Sequence, residues 1–522
     1  MFGKKKKRDI PTDVASDEKE KPSENAFDLI DPKEALILKK QIESETFNAS
    51  YFGLYRYAST TDQVLMAIGL IASIVPGAAL PSLSLLNGKI VDSMIAFMTH
   101  RITVEEFKAS MNEITLYFVY IAIGVFVCSY IYMAFWLYVG DRITRKVRAK
   151  YLTSVLHQNI GWFDKTGIGE VTTRITNDTN QLQDGVSEKL PMVVEGFATF
   201  ISGWIFGFIA NWKVTLVLLC VSPFITLSMG LMNKFIIKYV MRSNDKLSQA
   251  GTIAEEAISA SRTTVAFGAE DKLSNRYEAL IKESCKVGIK KVLSLGFGLG
   301  AMMFFVYATY AIAFFYGGQL VFEGDTTPGK LTNVIFAILM STFSLSHTMP
   351  QFRFFSLAVA AGSKLFATID RTPPINSLSE EGRKPDTVDG CIEFKNVSFR
   401  YPSRPEVLVL DNFSLVVQPN TTVALVGESG SGKSTIVQLV ERFYDPVRGL
   451  VQLDGTDIRE LNVKWLRHQI GIVSQEPILF NATIAENIAF GLVGVDWERD
   501  SYEKYMDQII EAAKMANAHD FM

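Results

Sequence analysis

The run Gly427-Glu428-Ser429-Gly430-Ser431-Gly432-Lys433-Ser434-Thr435 decides how the last quarter of this 522-residue chain folds. It matches G-x-x-x-x-G-K-[ST] at every fixed position. Residues 421–426, just before it, are apolar and β-branched and predict a strand. Residues 435–442, just after it, predict a helix. A strand–loop–helix of this kind is built for phosphate. The glycines at 427, 430 and 432 let backbone amides, including those of Glu428, Ser429 and Ser431, wrap an anion. The helix starting near Thr435 adds its positive end. Lys433 is expected to reach the β- and γ-phosphates, and Ser434 to ligate Mg2+.

Other short β-rich runs surround the loop, at 392–401, 407–410, 413–417, 451–453 and 470–474. Tyr401 ends the first, ahead of Pro402, and offers a ring on which an adenine can stack. By itself it reads rather as an ordinary strand aromatic. Gln475 follows the last run and precedes Glu476-Pro477. A glutamine at a strand's C-terminal end, facing the phosphates, can bind Mg2+ and the attacking water, although alone it is also a common turn residue.

Upstream the texture is different. The whole chain is 48% hydrophobic and only 20% charged, and the apolar residues are concentrated between 63 and 360. Six stretches, 63–86, 115–139, 190–210, 213–233, 293–316 and 332–352, each have the ~20 residues that cross ~30 Å of hydrocarbon. Lys and Arg set their orientation. Between spans two and three lie Arg142, Arg145, Lys146, Arg148, Lys150, Lys165, Arg174 and Lys189. The segment between spans four and five, from Lys234 to Lys291, is richer still. The opposite side holds only Lys89, Arg101, Lys108, Lys213 and Lys330. The N-terminus, both long loops and everything after span six are therefore expected to be cytoplasmic.

Both long loops have helical patterning and few turn residues, so each is read as a helical hairpin reaching tens of Å from the membrane. The first turns near Gly161-Trp162-Phe163-Asp164, the second near 262–268. Aromatics exposed at a tip suggest a docking surface; local packing within the hairpin is the alternative. Glu195, near the start of a span, is the one obvious carboxylate at depth. Scarce intramembrane charge argues against an ion path and for an apolar substrate. Phe304, Tyr307, Tyr310, Phe336 and Phe343 are candidate lining for its cavity, or else lipid-facing and packing residues.

Several classes drop out. Lys+Arg 52 against Asp+Glu 55 leaves a net charge of −3, so no basic field calls for nucleic acid. Cys128, Cys220, Cys285 and Cys391 lie far apart without a CxxC pair, which argues against a disulfide scaffold or zinc ribbon. The basic start Lys4-Lys5-Lys6-Lys7-Arg8 opens a polar stretch with no apolar core, a solvated tail rather than a signal peptide.

Six spans, two long hairpins and a P-loop in this order resemble an ATP-binding cassette exporter of the multidrug-resistance, or P-glycoprotein, group. Phe399-Arg400-Tyr401-Pro402-Ser403-Arg404-Pro405 is similar to the family's adenine-stacking loop, and Val426 to Thr435 to its Walker A. Val473-Ser474-Gln475-Glu476-Pro477-Ile478-Leu479-Phe480 is similar to its Q-loop, and Asn159 to Asp164 to its first coupling helix. The resemblance implies ATP and Mg2+ as cofactors, Tyr401 and Gln475 among the nucleotide ligands, and Lys433 and Gln475 as catalytic groups. It further implies coupling through Trp162, Phe163, Asp164, Thr264 and Phe267, and alternating access driven by ATP.

The fold class expected is a membrane all-α six-helix domain with long cytoplasmic helical hairpins, followed by an incomplete α/β P-loop domain. The boundaries expected are a disordered tail at 1–47, the transmembrane domain at 48–360, a linker at 361–390 and a partial nucleotide-binding domain at 391–522. The signature LSGGQ, the Walker B aspartate with its glutamate and the switch histidine do not occur in the sequence. The resemblance therefore implies an N-terminal part of a longer transporter that needs a second half, and no autonomous ATP hydrolysis. It implies hydrophobic small-molecule substrates, a lipid environment and the plasma membrane. A nucleotide-binding regulator, an ATP-gated channel and a non-functional truncated product are the alternative readings. A channel should show charged pore residues at depth, and these are sparse.

Overall fold

The computed structural model describes residues 27, 30–43, 47–474, 477–492 and 502–521. The chain divides into two compact units. One contains the described residues of Thr46–Leu152 and Thr173–Ala367; the other contains those of Met1–Glu45, Thr153–Thr172 and Thr368–Met522.

The elements before the first strand are all helical. A short helix α1 spans Pro32–Ile42, followed by α2 (Thr60–Met98) and α3 (Val104–Leu156). Short helices α4 (Ile160–Thr166), α5 (Ile168–Thr173) and α6 (Thr179–Val186) lead to α7 (Lys189–Ala210), with one π turn at Arg174–Asp178. Then come α8 (Trp212–Ser259), α9 (Ser261–Ala266), α10 (Glu270–Phe322), α11 (Pro328–Thr348) and α12 (Phe352–Ile369). Among the described residues, six helical segments are long and apolar enough to cross a membrane, and each contains one of the six stretches read from the sequence.

The membrane unit packs as a bundle without hydrophobic drive should, through small residues and polar links. Gly88 and Gly329 bring α2 and α11 so close that a methyl group on either would lie under 3 Å from the other's carbonyl oxygen. One turn away Ser84 donates to the Asn333 side chain, and Asp92 accepts from Thr327 Oγ1 at 2.7 Å and from the Gly329 amide at 2.8 Å. Gly203 of α7 sits against Ser341 in the same way. Trp204, Val214, Leu218, Ile225, Val306, Ala313, Val334 and Ile338 form the apolar core among α7, α8, α10 and α11. At the start of α2, Ser59 and Asp62 form a capping box, and buried Asp62 also accepts from Arg142 at 3.0 Å. Beyond the apolar stretches α8 and α10 stay paired through Ser243 and Ser284 (2.9 Å) and Lys246 and Glu283 (2.9 Å).

The second unit holds a four-stranded antiparallel sheet of order β2-β1-β3-β4. Its strands are β1 (Ile392–Phe399), β2 (Leu410–Val417), β3 (Arg448–Leu453) and β4 (Thr456–Asp457). Ile392 faces Val417 on one side and Leu453 on the other. Helix α13 (Lys433–Val440) packs Ile436 and Leu439 against Phe394, Val397, Phe399 and Val451. Helices α14 (Val463–His468), α15 (Ile484–Ala489) and α16 (Met506–Met515) follow.

Four expectations are corrected. The runs 421–426 and 470–474 form no strand, and of 407–410 only Leu410 joins one. A continuous apolar run signals a strand buried on both faces, but a strand exists only with a ladder partner. No described strand pairs with these runs, and Val426 and Val473 are 93% and 98% exposed. The tail is not polar throughout: 32–42 is a helix with Ala35, Leu38 and Ile42 buried, three apolar residues that the surrounding charge had masked. Residues 1–26, 28–29 and 44–46 of the tail lie outside the described residues. The linker begins later than 361, because α12 continues to Ile369 with Ala361, Leu365 and Phe366 buried. The first hairpin tip does not expose its tryptophan; Trp162 is buried.

Candidate functional site

The phosphate loop leaves the sheet through 418–426 and ends at α13. Gly430 and Gly432 both have φ of +87°, a region that a side chain makes costly. Gly432 is also confined, since a Cβ there would lie 3.0 Å from the Leu410 side chain. These two residues turn the chain so that the 427–432 backbone curls over the first turn of α13, whose amides have no carbonyl partner within the helix. Lys433 Nζ donates into the loop itself, to the Gly427 carbonyl at 2.9 Å and the Glu428 carbonyl at 2.6 Å. Glu428, Ser429, Ser431 and Ser434 are exposed around this curl.

Thr435 points the other way and is buried. Its hydroxyl meets the Tyr401 hydroxyl at 2.8 Å, and Tyr401 also donates to Gln438 Oε1 at 2.9 Å. The Tyr401 ring is half-buried, edge-on to Phe399 (4.9 Å) and to Tyr444 (5.4 Å). Tyr401 is thus hydrogen-bonded to α13 beside the loop. Gln475, expected opposite, lies outside the described residues. A triphosphate fits this donor set: curled amides, one ammonium already aimed into the loop and a free-standing serine hydroxyl at the helix start. Mg2+ keeps much of its shell from phosphate oxygens and water, so Ser434 would suffice as one protein ligand.

The first hairpin tip belongs to the same compact unit as the loop. In α4, Trp162 is buried with Phe163 edge-on at 5.1 Å. Asp164 Oδ2 accepts from the Tyr444 hydroxyl at 2.6 Å, and Tyr444 follows α13 by one turn. Gly161 lies near Pro402 and the Gln41 carbonyl. In the membrane unit, the second tip is built differently. Thr264 Oγ1 donates to the Ala257 carbonyl at 3.3 Å, while Val265 and Phe267 are 66% and 81% exposed.

The aromatic cavity candidates separate into two groups. Tyr310 and Phe343 pack against the bundle core, Tyr310 stacked on Phe314. Phe304 and Tyr307 are strongly exposed on α10, and Phe336 is partly exposed on α11. Glu195 is held by the Tyr132 hydroxyl at 2.7 Å, linking α7 to α3. Two groups around the tip escaped the sequence reading. Arg371 gathers five acceptors around α1 and α4, and Glu34 of α1 meets Arg400, the neighbour of Tyr401. A lone arginine after a helix carries no sequence signal; the apolar spacing of Ala35, Leu38 and Ile42 was the only available one.

Two family models match the chain. The model described as "ABC transporter transmembrane region" covers residues 66–343, and the one described as "ABC transporter" covers 410–522. The chain belongs to the ABC transporter family. It is similar to the ABC multidrug transporter atrD of Emericella nidulans, 46% identical over 489 residues, which are 94% of this chain and 36% of that protein. It is also similar to the ABC multidrug transporter MDR2 of Trichophyton equinum, 44% identical over 93% of this chain and 36% of the relative. The ABC multidrug transporter mdr1 of Aspergillus fumigatus is 42% identical over 97% of this chain and 38% of its own length. The chain thus spans little more than a third of these relatives. With its six membrane-capable helices, this ABC family member is an integral membrane protein.

Proposed function

We propose that this chain forms part of an ATP-driven exporter that moves amphipathic or hydrophobic small molecules, xenobiotic or lipid-like, across a membrane. The observation that carries the proposal is the Tyr444–Asp164 bond, which joins the segment after the phosphate-loop helix to the tip between spans two and three. Mg·ATP is taken at Gly427 to Thr435, with Tyr401 at the adenine, Lys433 on the phosphates and Ser434 and Gln475 on Mg2+. Lys433 leaves its two loop carbonyls when phosphate arrives, so the loop opens around an anion that replaces them. Lys433 and Gln475 then act on the γ-phosphate and the water.

Alternating access follows if ATP favours one arrangement of two nucleotide domains. A ligand shifts such an equilibrium only by its differential affinity. The partner is a second ABC half, and Thr264 and Phe267 at the exposed second tip are the residues offered to it. The named activity of the multidrug relatives supports the substrate class, as do the apolar spans and Phe304, Tyr307, Tyr310, Phe336 and Phe343. We place residues 1–47, both tips and 391–522 in the cytoplasm of a plasma-membrane protein, and 370–390 between the domains.

The test is binding of a fluorescent ATP analogue to the chain reconstituted in lipid. Lys433→Met removes the one ammonium in the loop and should weaken affinity about tenfold or more. Equal affinity in the two proteins would overturn the assignment.

A further inference from the structure

Helix α1 carries no residue of the phosphate loop, yet it contacts α4 and, in the nucleotide domain, Arg400, Asp445, Val447 and Arg448. Its apolar side is buried: Ala35, Leu38 and Ile42 pack with Phe27 and Val447. Its N-terminal end is acidic and meets two arginines of the nucleotide domain. Arg448 reaches Asp31 at 3.1 Å and Glu34 at 2.5 Å, and Glu34 also faces Arg400 Nε at 3.5 Å. Arg400 in turn donates Nη1 to the carbonyls of Pro405 and Glu406, both at 3.0 Å, which shapes the loop holding Tyr401.

The C-terminal end is tied by Arg371. Its Nε donates to the Glu43 carbonyl at 2.9 Å, and Nη2 to the carbonyls of Lys40 at 3.3 Å and Gln41 at 3.1 Å. These are carbonyls that a helix end leaves without partners. Arg371 Nη1 donates to Asn159 Oδ1 at 3.0 Å and to the Gln158 side chain, at the very start of α4. Asn159 closes the triangle, donating Nδ2 to the Gln41 carbonyl at 2.7 Å. Gln41 donates its own amide to the Asp445 carbonyl at 3.3 Å, beside the Tyr444 that binds Asp164. One helix thus has the tip at one end and the adenine-side loop at the other.

We propose that α1 is a clamp, fastened by Arg371 and Glu34, that makes the tip helix α4 and the 400–406 loop move as one body. Nucleotide occupancy at the loop is thereby sensed at the tip. The second part rests on the nucleotide-binding reading above; the mechanical part does not. Arg371 and Glu34 are positioning residues, since neither touches the phosphate loop.

The test is amide hydrogen exchange on the 522-residue chain in lipid, with and without saturating Mg·ATP. In the unaltered chain, Mg·ATP should slow exchange at 160–166 as well as at 427–435. Arg371→Ala should speed exchange at 160–166 about tenfold or more without nucleotide, as expected when a local opening loses several charge-assisted bonds. It should also weaken the nucleotide response at 160–166 while keeping it at 427–435. Arg371→Lys should rescue only part, because an ammonium cannot span acceptors held by a planar fork. Glu34→Gln, a milder change, should loosen 400–406 and leave 160–166 nearer the unaltered rate. It decides the matter if Arg371→Ala fails to fold. Unchanged exchange at 160–166 in Arg371→Ala, or unchanged exchange at 400–406 in Glu34→Gln, overturns the clamp. Absence of protection at 427–435 in the unaltered chain overturns the nucleotide reading instead, and the nucleotide-free rates still judge the clamp.

Discussion

Tyr444 donates its hydroxyl to the Asp164 carboxylate across 2.6 Å. The two residues are 280 positions apart in sequence, and the bond links the segment behind α13 directly to the α4 tip. Burial, and after it the Asp164 carboxylate, push the Tyr444 hydroxyl far above its ordinary value. A raised pKa keeps the proton on, so the donor persists as pH rises. At pH ~10, where an exposed tyrosine is half ionised, Tyr444 should still be protonated. An ultraviolet difference titration of the unaltered chain against Tyr444→Phe checks this; a tyrosinate signal lost in the variant at that pH would contradict it.

The same bond should stabilise the tip. A hydrogen bond to a charged group contributes ~1.5–3 kcal/mol, so Tyr444→Phe should lower the opening free energy of 160–166 by that order. Asp164→Ala should cost at least as much, because it leaves the Tyr444 hydroxyl buried without its acceptor. Amide exchange at the tip reads both values, and nucleotide affinity should change little in either variant.

Gly432→Ala should damage the phosphate loop from two directions. The residue sits at φ +87°, and a methyl group would press on Leu410 at 3.0 Å. Backbone strain of this kind costs ~1–3 kcal/mol. Thermal unfolding should begin earlier, and affinity for the fluorescent ATP analogue should fall. Gly455→Ala, equally strained at φ +78° but with open space around it, is the control: it should share the loss of stability and spare the affinity.

Tyr401 separates ring from hydroxyl. Its hydroxyl is committed to Thr435 and Gln438, so Tyr401→Phe should loosen α13 slightly and keep nucleotide affinity within about threefold. Tyr401→Ala removes the ring as well, and a stacked base is worth ~1–3 kcal/mol. Titration with the ATP analogue should therefore show a loss of about tenfold for the alanine variant, and equal affinities for alanine and phenylalanine would remove Tyr401 from the adenine site.

Orientation is checked by labelling. In intact cells, a cysteine placed by His100→Cys at the α2–α3 connection should react with an impermeant maleimide. Lys165→Cys at the α4 tip should react only after permeabilisation. The opposite pattern would invert the topology drawn from Lys and Arg.

What could be read in advance follows the range of the interactions involved. Spans are legible because ~20 apolar residues have one cheap solution in lipid, and α2, α7 and α11 formed around the stretches read for them. The phosphate loop is legible because Gly430, Gly432 and Lys433 are fixed by local geometry. Strands at 421–426 and 470–474 were not safe inferences, since apolar content proposes a strand and only a neighbour completes it. Arg371 and Glu34 escaped altogether: their meaning lies in partners more than 200 positions away, and no local pattern announces such a meeting. Trp162 reads as a tip aromatic fit for docking or local packing, and its burial depends on partners that no local pattern names.

Helix α8 has 48 residues, so at 1.5 Å per residue it is ~70 Å long. Some ~30 Å of that lies in hydrocarbon, which leaves an arm of ~40 Å ending at the exposed Phe267. Paired with α10 through Ser243, Ser284, Lys246 and Glu283, it bends less than a single rod would. Simple lever arithmetic then applies: a 10° tilt at the membrane surface sweeps the far end through ~7 Å, more than one turn of helix. Read in the other direction, a displacement of several Å at Phe267 arrives among the spans as a rotation of a few degrees. Such a gear ratio trades distance for force.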